Sequence, residues 1–155
     1  LGTADLRKKT KRTGTSLYLQ CGIDQLVNHR EIRHATLTLD DNKPQQLGFY
    51  LLAIQNGVSY GGGFKICPKA NLTDGLFDIC YATPTLSASE AIKLLLKAKN
   101  GKHTEHPNLT FAKAHRAHLS LPSEIPTQID GEKLLATEYE IVLHPKQLTV
   151  LIPNS

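Results

Sequence analysis

The chain has 155 residues, 40% of them hydrophobic and 21% charged, which is the composition of an ordinary globular domain with a substantial core. No stretch approaches the roughly 18 consecutive apolar residues that a membrane-spanning helix requires. The three cysteines, Cys21, Cys67 and Cys80, form no CxxC pair. We therefore expect buried thiols in a reducing, cytoplasmic compartment rather than a disulfide framework.

The net charge of +4 is concentrated near the start of the sequence. The segment ADLRKKTKR carries five basic residues against one acidic residue, and the rest of the chain has 13 of each sign. We predict a basic N-terminal arm over residues 1–15 and a folded domain over residues 16–155. Such an arm can contact nucleic acid or an anionic lipid surface, or it can be a solvated terminus. The folded part shows no basic stripe interleaved with aromatics, so we expect no nucleic-acid partner there.

The first predicted element is a helix over residues 16–28, where apolar residues recur at helical spacing behind an N-capping Thr15 or Ser16. Alternation in ATLTL predicts a strand, DDNKP predicts a turn, and the mostly apolar GFYLLAIQN predicts a second strand. GFKICP and GLFDICYA predict two further strands, joined by KANLTD. The run TPTLSASEAIKLLLKAKNG predicts a second helix, because Ser87 and Glu90 form a capping box and Gly101 can end it.

The last third of the sequence is rich in strand patterns. LTFAKAHRAHLSL alternates over a dozen residues and predicts a strand that can be bent, and TQIDGEKLLA predicts a hairpin. EYEIVLHPKQLTVLIP predicts two final strands around His144 and Pro145. Seven or eight short strands that follow one another directly favour antiparallel sheets. The predicted fold is mainly β, an antiparallel β-sandwich-like domain with one or two helices at the edge.

Three consecutive glycines, Gly61 to Gly63, invite comparison with a phosphate-binding loop. A Walker-type loop needs Gly-Lys-Ser/Thr at the start of a helix, and a dinucleotide GxGxxG motif also opens a helix. Here a predicted strand follows and ends at Pro68. We therefore interpret the glycines as a bulge or a close backbone approach rather than a nucleotide site.

The segment HTEH places His103 and His106 three residues apart, whereas metal sites of the HExxH type place two histidines four apart on a helix. No third ligand is evident, so a hydrogen-bonded surface turn is the better interpretation. His115 and His118 lie three apart on a predicted strand and should point to opposite faces, so we do not expect them to act together.

Two Asp-Gly pairs, at Asp74 and Asp130, are typical of tight turns. The functional alternative is an acidic site, in which Asp74 is an oxygen ligand for Mg²⁺ and Glu132 is a base beside a turn. The residues by themselves leave both interpretations open.

The stretch NGVSYGGGFKICPKANLTDGLFDI resembles a signature of bacterial diacylglycerol kinases and related lipid kinases, which are also relatives of sphingosine kinases. GKHTEHPNLTFAKAHRAHLS, TQIDGE and HPKQLTVLIP follow in the same order as in that family, and LYLQCGIDQLVNHREI is similar to the helix that opens its C-terminal domain. The resemblance spans residues 16–153. It implies an enzyme with an N-terminal domain that binds ATP through Gly-Gly-Asp-Gly-Thr and a C-terminal β-sandwich that forms the lipid site.

This sequence contains no Gly-Gly-Asp-Gly-Thr motif and does not begin with Met. We therefore expect it to be the C-terminal domain alone, inactive in isolation. The implied partners are its own N-terminal kinase domain, a lipid substrate, an anionic membrane surface and a second copy of the chain. The implied cofactors are ATP, bound mainly by the other domain, and Mg²⁺. Two alternatives stay open: a non-catalytic lipid- or partner-binding module, and a kinase for a sphingoid base or another lipid alcohol.

Carried over residue by residue, the Asp-Gly-Glu motif of the family falls on Asp130, Gly131 and Glu132. The resemblance implies that Glu132 is the general base or orienting group for the lipid hydroxyl, with Asp130 beside it. This is chemically reasonable, because phosphoryl transfer needs an acceptor hydroxyl that is held in line and relieved of its proton.

The accessory Mg²⁺ site of the family falls on the NLTDGL turn. The resemblance implies the carboxylate of Asp74 and the backbone carbonyls of Asn71 and Leu76 as its ligands. Hard oxygen ligands on a tight turn suit Mg²⁺, which usually keeps several waters.

Overall fold

The computed structural model describes residues 23–24 and 31–149. The predicted arm over residues 1–15 lies outside them, as does the predicted helix over residues 16–28 apart from Ile23 and Asp24, which are helical. The named elements are the strands β1 (Arg33–Leu39), β2 (Gln45–Phe49), β3 (Leu51–Gln55), β4 (Phe77–Ala82), β5 (Leu109–Ala114), β6 (Arg116–Ile129) and β7 (Glu132–Val142), and the helix α1 (Ala88–Ala98).

The strands form two antiparallel sheets that pack face to face. The larger sheet has the order β2-β1-β6-β7 and the smaller has the order β3-β4-β5. Alternation decides which side chains enter the space between them: Ala35 and Leu37 of β1 are buried, while Thr36 between them is not. Leu37, Ile79 and Leu119, among others, form the main core there. The predicted β-sandwich-like fold is confirmed.

Strand β4 is central to the smaller sheet, and all six of its residues are buried. Phe77, Ile79 and Tyr81 join the core between the sheets. The alternate residues Cys80 and Ala82 join two smaller clusters on the opposite face. A strand buried on both faces needs a third layer of cover, and helix α1 and the loop that precedes β4 supply it.

Helix α1 forms as its sequence predicts. The Ser87 hydroxyl accepts a hydrogen bond from the Glu90 N–H, and the Glu90 carboxylate accepts one from the Ser87 N–H, which completes the capping box. Ala91, Leu94 and Ala98 are its buried residues. Leu94 and Ala98 lie in the clusters formed with β4, so the helix covers the outer face of the smaller sheet.

Two predicted strands differ in the structure. GFYLLAIQN is split between β2 and β3, which belong to different sheets, because the Tyr50 N–H donates to the carbonyl of Ala82 in β4. An apolar run alone cannot show where a chain leaves one sheet for another.

GFKICP is not a strand. Gly61, Gly62 and Gly63 have φ values of 34°, 69° and 83°, and the two backbone bonds between Tyr60 and Phe64 close them into a turn. A Cβ at Gly63 would contact nothing within 4 Å, so the positive φ and not a close approach requires glycine there. The glycines shape the backbone, as expected, but as a turn rather than a bulge.

The long alternating run divides at His115 into β5 and β6. The Asp40 carboxylate accepts hydrogen bonds of 2.9 Å from the N–H groups of both His115 and Arg116, which turns the chain from one sheet into the other.

The predicted hairpin is confirmed as β6–β7. Of the two predicted final strands, β7 forms, residues 143–149 contain no strand, and the rest lies outside the described residues. No helix in the described part has the length and hydropathy needed to cross a membrane.

Candidate functional site

The turn that carries Asp74 is held first by its own side chains. The Asp74 carboxylate accepts a hydrogen bond of 3.0 Å from the Leu76 N–H. The Asn71 side-chain oxygen accepts one of 3.0 Å from the Thr73 N–H, and Gly75 takes a φ of 74°. Asn and Asp favour such turns because their short side chains bond to the backbone two residues on. The predicted turn is therefore present.

The end of β5 anchors this turn from a distant part of the sequence. The Lys113 Nζ donates to Asp74 Oδ2 over 2.6 Å, and the His115 Nδ1–H donates to the Gly75 carbonyl over 2.9 Å. The hydrogen bond between Lys113 and Asp74 is the main cause of two pKa shifts. It lowers the pKa of Asp74 and raises the pKa of Lys113.

A buried carboxylate, Asp78, lies directly behind this ion pair. Asp78 is 6% exposed and stands opposite Lys113 in the β4–β5 register, with its Oδ2 3.6 Å from the Lys113 Nζ. Among the described residues, that oxygen accepts no hydrogen bond, nor does the side-chain oxygen of Gln55, which stands opposite Asp78 on β3. Burial raises the pKa of Asp78 more than the Lys113 charge lowers it. Sequence analysis missed Asp78 and Lys113, because only the strand register places them together.

The second Asp-Gly turn differs because its side chains make no bonds to the described residues. Asp130 and Gly131 have φ values of 47° and 98°, positive at both positions as in the type I′ turns that favour Asp-Gly. Glu132 pairs with Ile129 across the hairpin. Asp130 and Glu132 are exposed, and neither side chain makes a hydrogen bond or an ion pair with the described residues.

The β6–β7 hairpin also carries exposed apolar side chains next to Glu132. Ile129 stands directly opposite Glu132, and Leu134 lies two residues further along β7 on the same face. Leu135 is exposed on the other face. A carboxylate flanked by apolar side chains is a chemically suitable place for the hydroxyl group of a lipid.

The triple-glycine turn adjoins this hairpin. The Tyr60 hydroxyl donates to the side-chain oxygen of Gln128 over 2.8 Å, across 68 residues of sequence. Two motifs that the sequence analysis treated separately therefore meet. In contrast, no hydrogen bond or ion pair connects the Asp74 turn with the Asp130–Glu132 turn within the described part of the chain.

The histidines of HTEH have a structural role. His103 is buried, its Nε2–H donates to the Ile66 carbonyl over 3.1 Å, and its ring packs edge-on against Phe111. A turn is present, with the His106 N–H bonded to the His103 carbonyl, but His103 is not at the surface. His115 bonds to Gly75, whereas His118 lies 3.0 Å from Glu138, so the two do not act together.

Cys67 and Cys80 are free and buried, as predicted for these two residues. Burial raises the pKa of Cys67 to about 12 and that of Cys80 to about 11, so both thiols stay protonated. Cys21 lies outside the described residues. The reducing compartment remains a prediction.

The accessory Mg²⁺ site can be tested against these contacts. In residues 31–149, no three His, Cys, Asp or Glu side chains are grouped to hold a metal ion. A site of one carboxylate and two backbone carbonyls is compatible with that finding and with the hard oxygen ligands that Mg²⁺ prefers. Lys113 now bonds to Asp74, but Asp78 Oδ2, 3.6 Å from the same ammonium, offers it a second partner. The residues therefore fit Mg²⁺ if Lys113 turns from Asp74 to Asp78.

Comparison with known proteins identifies the family of this chain. Residues 4–152 match the family described as the YegS C-terminal NAD kinase beta sandwich-like domain. The chain belongs to this family. The resemblance to the C-terminal domain of bacterial lipid kinases, drawn from the motifs, is confirmed.

Two curated relatives illustrate the match. A Mycobacterium tuberculosis (strain ATCC 25618 / H37Rv) protein named "Diacylglycerol kinase" is 32% identical over 118 residues, which is 76% of this chain and 38% of that protein. A Pectobacterium atrosepticum protein named "Probable lipid kinase YegS-like" is 30% identical over 103 residues, covering 66% of this chain and 33% of that protein. The chain therefore spans less than half the length of these relatives.

Solved structures show the same fold. A crystal structure of a diacylglycerol kinase from Bacillus anthracis str. Sterne aligns with a TM-score of 0.59 and 19% identity, over 79% of this chain and 43% of that one. Another structure from that organism aligns with a TM-score of 0.68 and 20% identity, over 94% of this chain and 47% of that one.

Proposed function

We propose that this chain is the C-terminal domain of an ATP-dependent lipid kinase that phosphorylates the hydroxyl group of a diacylglycerol-type lipid. The observation that carries the proposal is the free Asp130-Gly131-Glu132 turn, exposed at the tip of an apolar hairpin in a chain that belongs to this family. The relatives that share the domain are named as lipid kinases.

The chemistry assigned to the hairpin is general base catalysis. The Glu132 carboxylate takes the proton of the lipid hydroxyl while that oxygen forms its bond to the γ-phosphorus of ATP. The bond from this phosphorus to the bridging oxygen breaks at the same time, and ADP leaves. Asp130 helps to orient the same hydroxyl. Ile129 and Leu134, on the same face as Glu132, contact the apolar part of the lipid and exclude water from the reacting oxygen.

In this proposal Mg²⁺ is held by Asp74 and by the backbone carbonyls of Asn71 and Leu76. When bound, it would supply positive charge at the turn and keep the turn in one conformation. Lys113 then bonds to Asp78, whose buried Oδ2 has no hydrogen-bond donor in the part of the chain that the structure describes. The exchange keeps both carboxylates next to a cation.

The remaining parts of the enzyme are assigned outside the described residues. ATP is bound by an N-terminal kinase domain, so this chain alone is expected to be inactive. The enzyme is cytoplasmic and associates peripherally with an anionic membrane, in part through the basic arm over residues 1–15. We also propose that the enzyme associates with a second copy of itself to form a dimer.

The test uses the complete gene product with ATP, Mg²⁺ and diacylglycerol in mixed micelles. Glu132→Gln should lower kcat at least about 100-fold, the usual contribution of a general base, and leave the melting temperature unchanged because the side chain is exposed. Glu124→Gln, which alters another exposed glutamate of the same hairpin, is the matched control and should retain full activity.

Retained turnover in Glu132→Gln would remove Glu132 from the mechanism. Phosphorylation of a sphingoid base in preference to diacylglycerol would change the substrate class. The absence of phosphorylation for every lipid alcohol tried would favour the non-catalytic module.

A further inference from the structure

A strongly basic face lies on the layer that covers the smaller sheet. It consists of six exposed lysines, contributed by helix α1, by the segment that follows it and by the loop that precedes β4. They are Lys65, Lys69, Lys93, Lys97, Lys99 and Lys102. Residues 64–70 and 88–106, which contain all six, have only Glu90 and Glu105 as acidic residues, a local excess of four positive charges.

The overall composition does not show this local excess of positive charge. Outside the basic arm the sequence has equal numbers of basic and acidic residues. When the two basic segments are removed, the rest has seven basic and eleven acidic residues. The neutral total therefore conceals a separation of charge between one face and the rest of the domain.

The fold brings the two segments together around Gly101. The Lys65 N–H donates to the Ala98 carbonyl at the end of α1 over 2.9 Å, and the Lys102 N–H donates to the Lys97 carbonyl over 3.0 Å. A Cβ at Gly101 would lie 3.0 Å from Pro68 Cβ and 3.6 Å from Lys65 Cδ, so the loop packs directly on Gly101, just beyond the end of the helix.

The lysines of the basic face form no salt bridges within the described part of the chain, although the charge of Lys93 helps to lower the pKa of Glu90. Glu90 is engaged by Ser87 in the capping box. Like charges held close together repel one another, so an arrangement of this kind favours a negatively charged partner.

An exposed leucine lies among these charges. Lys97 and Leu96 follow Lys93 by four and three residues on α1, so both side chains neighbour Lys93 on the helix surface. The Leu96 side chain is 49% exposed. A basic surface with an exposed apolar side chain is typical of proteins that rest on a membrane, where lysines contact anionic headgroups and the apolar group enters the interface.

We propose that the basic face docks the domain onto an anionic phospholipid membrane. The proposal rests on the proposed function, since a kinase with a lipid substrate must work at a membrane surface. It adds a second contact to the one assigned to the basic arm, on a different part of the chain. All six cationic residues are lysines, whereas arginine, with its planar fork, is the side chain suited to nucleic-acid recognition.

Vesicle binding by the complete gene product tests the proposal, using phosphatidylcholine vesicles with and without phosphatidylglycerol. The vesicles contain no diacylglycerol and the buffer contains no ATP. Each lysine near an anionic surface contributes about 1 kcal/mol, so Lys93→Gln combined with Lys97→Gln should weaken partitioning onto the anionic vesicles roughly 30-fold. Circular dichroism before binding verifies that the helix is intact.

The matched control is Lys43→Gln combined with Lys146→Gln, which removes two exposed lysines from outside the basic face. Binding of this control should fall by less than about threefold, since only the general attraction of the net charge is reduced. Leu96→Gln should lower the binding that remains at high salt, where the electrostatic part is screened.

Equal loss in the two double variants would overturn the proposal, because net charge or the basic arm would then explain the binding. A loss of binding to a DNA duplex without a loss on vesicles would also overturn it, in favour of nucleic acid. Because no substrate is present, vesicle binding by a protein that phosphorylates no lipid would reject the proposed function and leave this proposal standing.

Discussion

The two Asp-Gly turns have the same local chemistry and opposite surroundings. Asp74 is bonded to Lys113 and to the Leu76 N–H, and Gly75 is bonded to His115. Asp130 and Glu132, in contrast, make no side-chain bond to the described residues. One turn is fixed to the rest of the domain, and the other projects from the end of a hairpin.

The difference shows that a turn motif predicts backbone conformation but not function. The Asp74 turn is also held by the Leu76 N–H and by His115, which keep its oxygens in place when Lys113 turns to Asp78, as the proposed ion site requires. A turn with free carboxylates keeps them available for a partner that arrives from outside, which suits a base for a lipid hydroxyl. The strand register, not the Asp-Gly pair, decides which of the two turns is anchored and which has exposed carboxylates.

The largest expected effect is on folding stability, and it differs between the residues that pack next to the two turns. Phe77, two residues after Gly75, is 3% exposed, whereas Ile129, next to Asp130, is 52% exposed. Phe77→Ala should lower the free energy of unfolding by about 3–5 kcal/mol, because it leaves a cavity in the main core. Ile129→Ala should change it by less than about 0.5 kcal/mol. Urea denaturation measures both, and a similar loss in the two variants would show that the hairpin tip is buried too.

Replacing the glycine of each turn should have a smaller effect on folding stability, and this effect should be equal in the two turns. Gly75 and Gly131 have φ values of 74° and 98°, and a Cβ would lie 3.8 Å from Pro145 at the first and meet nothing within 4 Å at the second. Gly75→Ala and Gly131→Ala should therefore each cost about 1–2 kcal/mol, the cost of a left-handed backbone alone. Gly57→Ala, where no positive φ applies, is the control. A much larger cost at Gly75 would show that its anchors also resist backbone adjustment.

The smallest expected effect is on the pH dependence of folding stability, which should differ between Asp74 and Asp130. The hydrogen bond from Lys113 lowers the pKa of Asp74 below its ordinary value of 3.8, so the unfolded state binds this proton first on acidification. The stability that Asp74 contributes is present above about pH 4 and is lost as the pH falls through the lower folded value. Asp74→Asn should remove this dependence, so that its stability curve meets the wild-type curve in acid.

Melting temperatures recorded in EDTA from neutral pH to acid measure this difference without a metal contribution. Asp130→Asn is the control, because its side chain has no partner in the described residues, and its curve should follow the wild type throughout. Parallel curves for wild type and Asp74→Asn would mean that the Lys113 pair contributes nothing to stability.

Much of the fold could be predicted because its signals are local. The capping box of Ser87 and Glu90, the alternation of Ala35 to Leu39 and the Asp-Gly hairpin each depend on residues a few positions apart. The failures have long-range causes. GFYLLAIQN divides because Tyr50 bonds to Ala82, and the alternating run divides because Asp40 holds the N–H groups of His115 and Arg116.

The candidate site shows the same limit. Asp74, Asp130 and Glu132 were found from the sequence, through turn chemistry and resemblance to a family. Lys113 and Asp78 were not, because the pair is made across two strands and the sequence around each residue is ordinary. His103 was expected at the surface and is buried, since its ring packs on Phe111 and its Nε2–H needs the distant Ile66 carbonyl.

The sequence by itself determined most of the strands, helix α1, the two turns and the family, because helical and strand periodicity, caps and motifs act over short stretches of chain. Only the tertiary structure decided which turn is anchored, which carboxylate is buried beside Lys113, and where the lysines gather into a basic face. Charge and burial depend on distances in space, and residues such as Lys65 and Lys102 become neighbours only when the loop packs on Gly101.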